Sequence, residues 1–323
     1  MKIKELVISE IYKHGKISME NFINLCLYDK EGYYIKSDPI GAKNDFITAP
    51  QISQMFGEII GICLINFWEK KIKKEFNLIE LGPGTGTLIS DIMRTASINN
   101  DFIKSMNLIL IEKNKKLLKK QKNNFKSLNL SKIIWQNDFN FKKKNIPSII
   151  YSNEFFDCFP IRQFYKKKEI WYEKFITYNT SDKIFNFVPQ KIQNIKLLDN
   201  LKKYNDVKVA EISLSRNKYF DTICKYIKKN RGIIVTIDYG YTNTPDQFSL
   251  QTIHNHKKTH LFEHIGYQDI SAHVNFDEFV EIASKNNLKV ELFCTQKEFL
   301  ISYGLKDRKN ILQMNKSKAC FGL

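Results

Sequence analysis

The feature that most constrains this chain lies between residues 76 and 96. A short apolar run, Phe76-Asn77-Leu78-Ile79-Glu80-Leu81, passes without a spacer into Gly82-Pro83-Gly84-Thr85-Gly86, and LISDIMRTA follows at once. A strand that ends in a glycine-rich turn and hands over to a helix leaves free N–H groups at the helix start and lets a ligand approach bare backbone. The alternation continues downstream. MNLILIEKN is a second buried strand followed by the Lys-rich helix NKKLLKKQKNNF; KIIWQND is a third strand and PSIIYSNEFFD a fourth; RGIIVTIDYGY comes behind the helix SLSRNKYFDTICKYIKKN. Strands of five or six apolar residues alternating with helices predict a parallel sheet covered on both faces. Right-handed crossovers then give a doubly wound, Rossmann-like α/β fold.

A chain of 323 residues exceeds one comfortable hydrophobic core. Residues 1–75 read as a helical and loop element: Ile8, Ile11 and Tyr12 share a helix face, Ser18 opens a second helix, and Ser53 caps a third. Between them Gly32, Pro39, Gly41 and Pro50 forbid a long helix. Residues 76–323 form the α/β core, interrupted twice. QFYKKKEIWYEKFITYNTSDKIFNFVP, within an insertion at about 160–205, alternates like antiparallel strands with a turn near Asn179–Asp182, and 242–275 reads as a long loop. The two insertions are expected to form a lobe over the acceptor.

Charge and cysteines narrow the classes of function. Lys plus Arg number 51 against 34 Asp plus Glu, a net +17, but only Arg94, Arg162, Arg216, Arg231 and Arg308 are arginines. Base readers and phosphate clamps favour Arg, so a nucleic-acid partner is not expected, and the Lys/Asn/Ile bias reads as drift in a low-GC genome. The six cysteines are scattered without a C-x-x-C pair, which fits reduced thiols in a cytosolic protein. No run approaches the ~20 apolar residues of a membrane span. The N-terminus shows no leader pattern, so a cytoplasmic, bacterial location is expected.

The glycine spacing is G-x-G-x-G, with Thr87 where a dinucleotide fingerprint would place its third glycine. An acid, Glu80, stands two residues before the first glycine. That pattern suits S-adenosylmethionine (SAM), which has no pyrophosphate but carries a cationic amino group and a sulfonium. Glu112 closes the second strand, where an acid can take both ribose hydroxyls, and Asp138 closes the third, within reach of an adenine amino group. Glu80, Gly82, Gly84, Gly86, Glu112 and Asp138 are therefore the candidate cofactor residues, at the carboxyl edge of the sheet where open α/β folds bind ligands.

The fourth strand ends in Ser152-Asn153-Glu154-Phe155-Phe156-Asp157. The Pro-Pro-aromatic signature of many base-amine methyltransferases is absent. Two carboxylates among Phe155, Phe156 and Phe159 match the fork of a guanidinium instead, so Asn153, Glu154 and Asp157 are the candidate catalytic residues. Five of the six histidines, His254, His256, His260, His264 and His273, fall in one window. No acid or cysteine joins them at ligand spacing, so no metal is expected.

These residues resemble the MidA-type SAM-dependent methyltransferases, a family that includes the mitochondrial arginine methyltransferase assisting assembly of respiratory complex I. The resemblance rests on LCLYDKEGYY (25–34), GAKNDFITAPQISQMFGEIIG (41–61), IELGPGTGTLISDIMR (79–94), SNEFFDCFPIRQF (152–164), IDYGY (237–241), SLQTIHNHKK (249–258), DISAHVNF (269–276) and TQKEFLISYG (295–304). It implies a seven-strand methyltransferase core, SAM as methyl donor, and an arginine-bearing protein substrate such as a complex I subunit, dimethylated symmetrically. A SAM-binding assembly factor with little turnover and an RNA methyltransferase are the alternatives. Asp238, Tyr239 and His256 are candidate acceptor-binding residues in these segments, and Gly240 matches the pattern. Thr85, Gln51 and Asn275 depart from the family's usual Arg, Glu and Asp. The chain also ends at ILQMNKSKACFGL, short of the extra helix and final strand the family carries. A truncated or frameshifted chain with an exposed sheet edge is therefore expected. Oligomeric state is not legible.

Overall fold

The computed structural model describes residues 2–36, 49–127, 133–141, 145–204, 206–308 and 310. The segment around Pro39 and Gly41 and the ILQMNKSKACFGL end fall largely outside them. Three helices come first: α1 (Ile3–His14), α2 (Met19–Tyr28) and α3 (Gln54–Lys71). Ser18 caps α2, its Oγ accepting from Asn21 N at 3.1 Å. Ser53 occupies the corresponding place before α3, but its side chain makes no cap bond.

The alternating part follows as β1 (Phe76–Leu81), α4 (Thr87–Ala96), β2 (Met106–Ile111), α5 (Lys115–Asn124), β3 (Ile133–Gln136) and β4 (Ser148–Asn153). After it come β5 (Arg162–Lys167), β6 (Ile170–Asn179), β7 (Ile184–Lys191) and β8 (Val209–Ile212). Then α6 (Leu214–Asn230), β9 (Gly232–Ile237), β10 (Gln251–His254), β11 (Asp269–Ser271) and α7 (Phe276–Lys285) complete the main elements.

The main sheet runs β9-β4-β1-β2-β3, and every pairing is parallel. All six residues of β1 are buried, as a central strand covered on both faces demands. Phe56, Ile60, Leu64 and Trp68, at a helical spacing of four, turn α3 onto one face of the sheet beside α4. Gly57 lets the two helices close: a Cβ there would lie 2.5 Å from Asp91 Cβ. On the other face α6 and α7 pack through Phe220 and Phe279, whose rings stack at 3.9 Å. Among the described residues β9 is one edge of this sheet, and each of its six residues is half-buried.

The first insertion is a separate antiparallel sheet in which β5, β6, β7 and β8 are joined by the short strand Ile17–Ser18. The β6–β7 turn falls where Asn179 and Asp182 stand, with Asn179 Nδ2 donating to Asp182 Oδ2 at 2.8 Å. The stretch 242–275 is more ordered than a loop: β10 and β11 pair within a small three-stranded sheet. Helices α1 and α2 do not pack on the parallel sheet. Val7, Phe22 and Leu27 share a core with Ile161 and Ile176 from the first insertion and Leu261 and Ile270 from the second.

Candidate functional site

One cavity of about 700 Å³ opens at the carboxyl edge of the parallel sheet, where the ends of the strands leave room between their following loops. Its floor at one end is the glycine turn. Gly82 has φ +63° and its N–H donates to Ile111 O at 3.0 Å, tying the turn to the end of β2. A Cβ on Gly82 would lie 2.7 Å from the Phe155 ring; both the backbone conformation and the space therefore require glycine there. Gly84 and Gly86 also have positive φ, and Gly86 stands at the start of α4.

The three acids expected at this end are all on the cavity wall. Glu80 is buried, and its Oε2 accepts from Tyr151 OH at 3.0 Å. Burial pushes its carboxyl up to about 8, against the smaller opposing effect of the tyrosine bond. Glu112 is buried too, pushed up to about 7 by desolvation although Asn114 N donates to its Oε1 at 2.8 Å. Asp138 is exposed, accepts from Phe139 N at 3.0 Å, and stands 3.8 Å from Lys113 Nζ. Gln121 fixes the arrangement. Its Nε2 donates to Gly84 O at 2.7 Å, its Oε1 accepts from Trp135 Nε1 at 3.0 Å, and Glu112 Oε2 lies 3.4 Å away. This end presents acids and bare backbone suited to a ligand with amino, hydroxyl and sulfonium groups.

The other end is built on the turn after β4. Glu154 adopts φ +49°, a left-handed conformation unusual for a side-chain-bearing residue. Its N–H donates to Ile237 O at 2.9 Å, and its Oε1 accepts from Asn153 Nδ2 at 3.1 Å. Burial raises its carboxyl above the usual range. Asp157 is raised far more, by burial first and then by Asp238, Asp269 and Glu154. Asn153 lines the cavity, and its buried Oδ1 has no hydrogen-bond partner among the described residues. Phe155, Phe159 and Tyr219 form an aromatic wall, with ring centroids 5.5–5.6 Å apart.

Two expected acceptor residues are placed differently. Asp238 does not line the cavity. Its Oδ2 accepts from Phe155 N at 3.2 Å and Phe156 N at 2.8 Å, and its Oδ1 from Tyr239 N at 2.9 Å. It braces the Glu154–Asp157 turn, as a strand-end carboxylate beside free N–H groups does. His256 is exposed, with φ +60°, in the turn after β10, away from the cavity lining. Tyr239 lines the mouth and is 58% exposed. Of the clustered histidines, His254 and His264 stack at 4.1 Å. Among the described residues no group of three or more His, Cys, Asp or Glu is arranged to hold a metal.

Several residues on or behind this cavity carry no role in the sequence reading. Asp269 on β11 is buried and lines it. Tyr28 and Tyr34 come from the N-terminal helices, donating to Cys158 O at 2.8 Å and Asp269 Oδ1 at 2.6 Å. Arg216 is 1% exposed; its Nη1 donates to His273 O at 3.2 Å, while Nε and Nη2 have no partner among the described residues. Tyr28, Tyr34 and Asp269 stand in LCLYDKEGYY and DISAHVNF, so their segments were visible although their roles were not. Gln121 and Arg216 sit in helices whose Lys-rich wording hides them.

Comparison with known proteins adds to this geometry. A family model of S-adenosyl-L-methionine-dependent methyltransferases matches residues 59–294. The chain is 27% identical to the Caenorhabditis elegans protein named "Protein arginine methyltransferase NDUFAF7 homolog, mitochondrial", covering 98% of this chain and 80% of that one. It is 29% identical to human "Protein arginine methyltransferase NDUFAF7, mitochondrial", covering 83% and 65%. Its fold matches a crystal structure of a Burkholderia thailandensis protein bound to S-adenosyl-homocysteine, with TM-score 0.84, 19% identity, and 98% and 84% of the two chains covered.

Proposed function

The chain belongs to the MidA-type family of S-adenosyl-L-methionine-dependent methyltransferases, and on that premise we propose that it methylates the guanidinium of an arginine in a partner protein. The observation that carries this reading is the Glu154–Asp157 turn: two sequestered carboxyls, each raised by its surroundings, on an aromatic-walled cavity that also holds the donor's acids. The names of the relatives support a protein arginine as acceptor. A subunit of respiratory complex I or its bacterial equivalent is the proposed target, methylated symmetrically. The proposed setting is the bacterial cytoplasm; no helix among the described residues is long and apolar enough to cross a membrane.

Glu80, Gly82, Gly84, Gly86, Glu112 and Asp138 are assigned to the donor, and Asn153, Glu154 and Asp157 to the acceptor. When bound, the donor would supply a sulfonium methyl for in-line attack by the acceptor nitrogen, with the thioether S-adenosyl-homocysteine as the leaving group. A guanidinium has a pKa above ~12 and little free lone pair. Carboxylates that grip two of its nitrogens draw the positive charge toward themselves and leave the third nitrogen the better nucleophile. Entry of that cation favours the ionised forms of Glu154 and Asp157, which are otherwise suppressed. Glu154 then takes the proton that the methylated nitrogen must shed. Phe155, Phe159 and Tyr219 shield the reacting atoms from water. Asp238 acts from behind by fixing the turn, and Tyr239 borders the entrance.

The test is to incubate the protein with methyl-labelled SAM and extract from cells lacking the gene, then identify the labelled macromolecule. Symmetric dimethylarginine in a protein is the expected product. Label in RNA, or label on lysine alone, overturns the reading.

A further inference from the structure

Asp269 lies more than a hundred residues along the chain from Glu154, on β11, yet it is buried on the same cavity. We propose that Asp269 is a third acceptor-binding carboxylate, that it selects a guanidinium over an ammonium, and that Tyr34 is the positioning residue that orients it. This deepens the reading above and rests on it.

Three arguments converge. The first is charge. Glu154, Asp157 and Asp269 all line the acceptor end, whereas Lys113, at the donor end beside Asp138, is the cation among the described lining residues. Asp269 and Glu154 both push the Asp157 carboxyl upward, so these acids repel one another across the cavity. Arg216, whose charge opposes the shift on Asp157, gives one nitrogen to the His273 carbonyl and does not line the cavity. A chamber with three inward acids is relieved by an entering cation.

The second argument is hydrogen-bond count. A guanidinium presents five N–H donors in a flat fork, an ammonium three from a point. Asn153 already takes one Glu154 oxygen at 3.1 Å. Acids on separate elements, the Glu154–Asp157 turn and β11, match the wider fork better than the compact ammonium.

The third is the mounting of Asp269. Tyr34 OH donates to Oδ1 at 2.6 Å, and Tyr34 is braced by rings at 5.9 Å (Tyr28) and 5.2 Å (Tyr33). The Tyr34 carbonyl accepts from Asn114 Nδ2 at 2.9 Å, and Asn114 N donates to Glu112 Oε1 at 2.8 Å. One tyrosine thus joins the acid at the acceptor end to the acid at the donor end.

The experiment uses Asp269→Asn and Tyr34→Phe in the full chain. Binding to the protein saturated with S-adenosyl-homocysteine is measured by calorimetry for two capped glycine pentapeptides, one with a central arginine and one with a central lysine. Asp269→Asn is expected to weaken the arginine peptide about tenfold or more, to cut its preference over the lysine peptide, and to leave S-adenosyl-homocysteine affinity within about twofold. Tyr34→Phe is expected to raise KM for the arginine peptide about threefold with kcat nearly unchanged. Unchanged arginine affinity in Asp269→Asn overturns the inference while the guanidinium reading stands. A wild-type protein that binds lysine and not arginine overturns both. Should Asp269→Asn fail to fold, Tyr34→Phe decides: an unmoved KM, or a loss confined to S-adenosyl-homocysteine affinity, removes Asp269 from acceptor recognition.

Discussion

The two ends of the cavity are assembled in different ways. The donor end takes its acids and its glycine turn from residues 80–138, at the tips of three adjacent parallel strands, with Gln121 locking the turn to Glu112. The acceptor end gathers Tyr28 and Tyr34 from the N-terminal region, Asn153–Phe159 from the turn after β4, Tyr219 from α6, and Asp269 from the second insertion. A donor common to a whole family can be held by one local motif repeated along a sheet. An acceptor particular to one enzyme is held by whatever the insertions carry over the same edge, so specificity can change while the donor site stays fixed.

This division is open to attack at both ends. The largest effect is expected from Glu154→Gln: methyl transfer falls about a hundredfold or more, with SAM affinity within about twofold. An equal fall in donor affinity would merge the two ends, and undiminished turnover would remove Glu154 from the chemistry.

Glu80 sharpens the donor side through pH. Burial pushes its carboxyl up to about 8 and that of Glu112 up to about 7. The folded, empty protein therefore keeps protons that the unfolded chain releases near 4.5. Their stabilising contribution is full below that value and is lost as pH rises through 7 to 8. Thermal melts of the empty protein should fall over that window, more shallowly in Glu80→Gln. A cationic donor favours the ionised carboxylate, so SAM affinity should rise about tenfold from pH 7 to 8.5. A flat calorimetric profile would remove Glu80 from donor binding.

Gln121→Leu removes no cavity acid but cuts the contacts to Gly84, Glu112 and Trp135. SAM affinity should weaken about fivefold or more, while arginine-peptide binding to the S-adenosyl-homocysteine complex changes little. Loss at the acceptor end instead would show that the glycine turn is not private to the donor. Smallest of all is His256→Ala, which should leave kcat, KM and melting temperature unchanged within error, as expected for an exposed turn.

Legibility followed the same divide. The strands of the parallel sheet and the glycine turn could be read because parallel strands buried on both faces leave unbroken apolar runs, and G-x-G-x-G is contiguous in sequence. Glu154 and Asp157 stand three positions apart in the turn after one strand, so their shared place on the cavity wall has a local sequence signal. The segment of Asp238 was visible, but the direction of its carboxylate, toward Phe155 and Phe156 N–H groups, is a tertiary fact. The place of His256 in a turn off the cavity lining was hidden because a segment's wording does not show which way its turn faces. Tyr34 and Asp269 meet across 235 positions, and no local pattern announces such a pair. The stretch 242–275 looked loop-like because its strands are only two to four residues long.

The shared core of α1 and α2 with both insertions has a consequence for synthesis. Val7 and Phe22 emerge from a ribosome well before their packing partners Ile176 and Ile270. The central strands, meanwhile, can zip together as they appear. The opening helices must then wait as bare amphipathic segments until translation passes the second insertion. Slowing elongation in the middle of the message should lengthen their exposure to chaperones and proteases, and it should do so without touching a single residue of the methyl-transfer machinery.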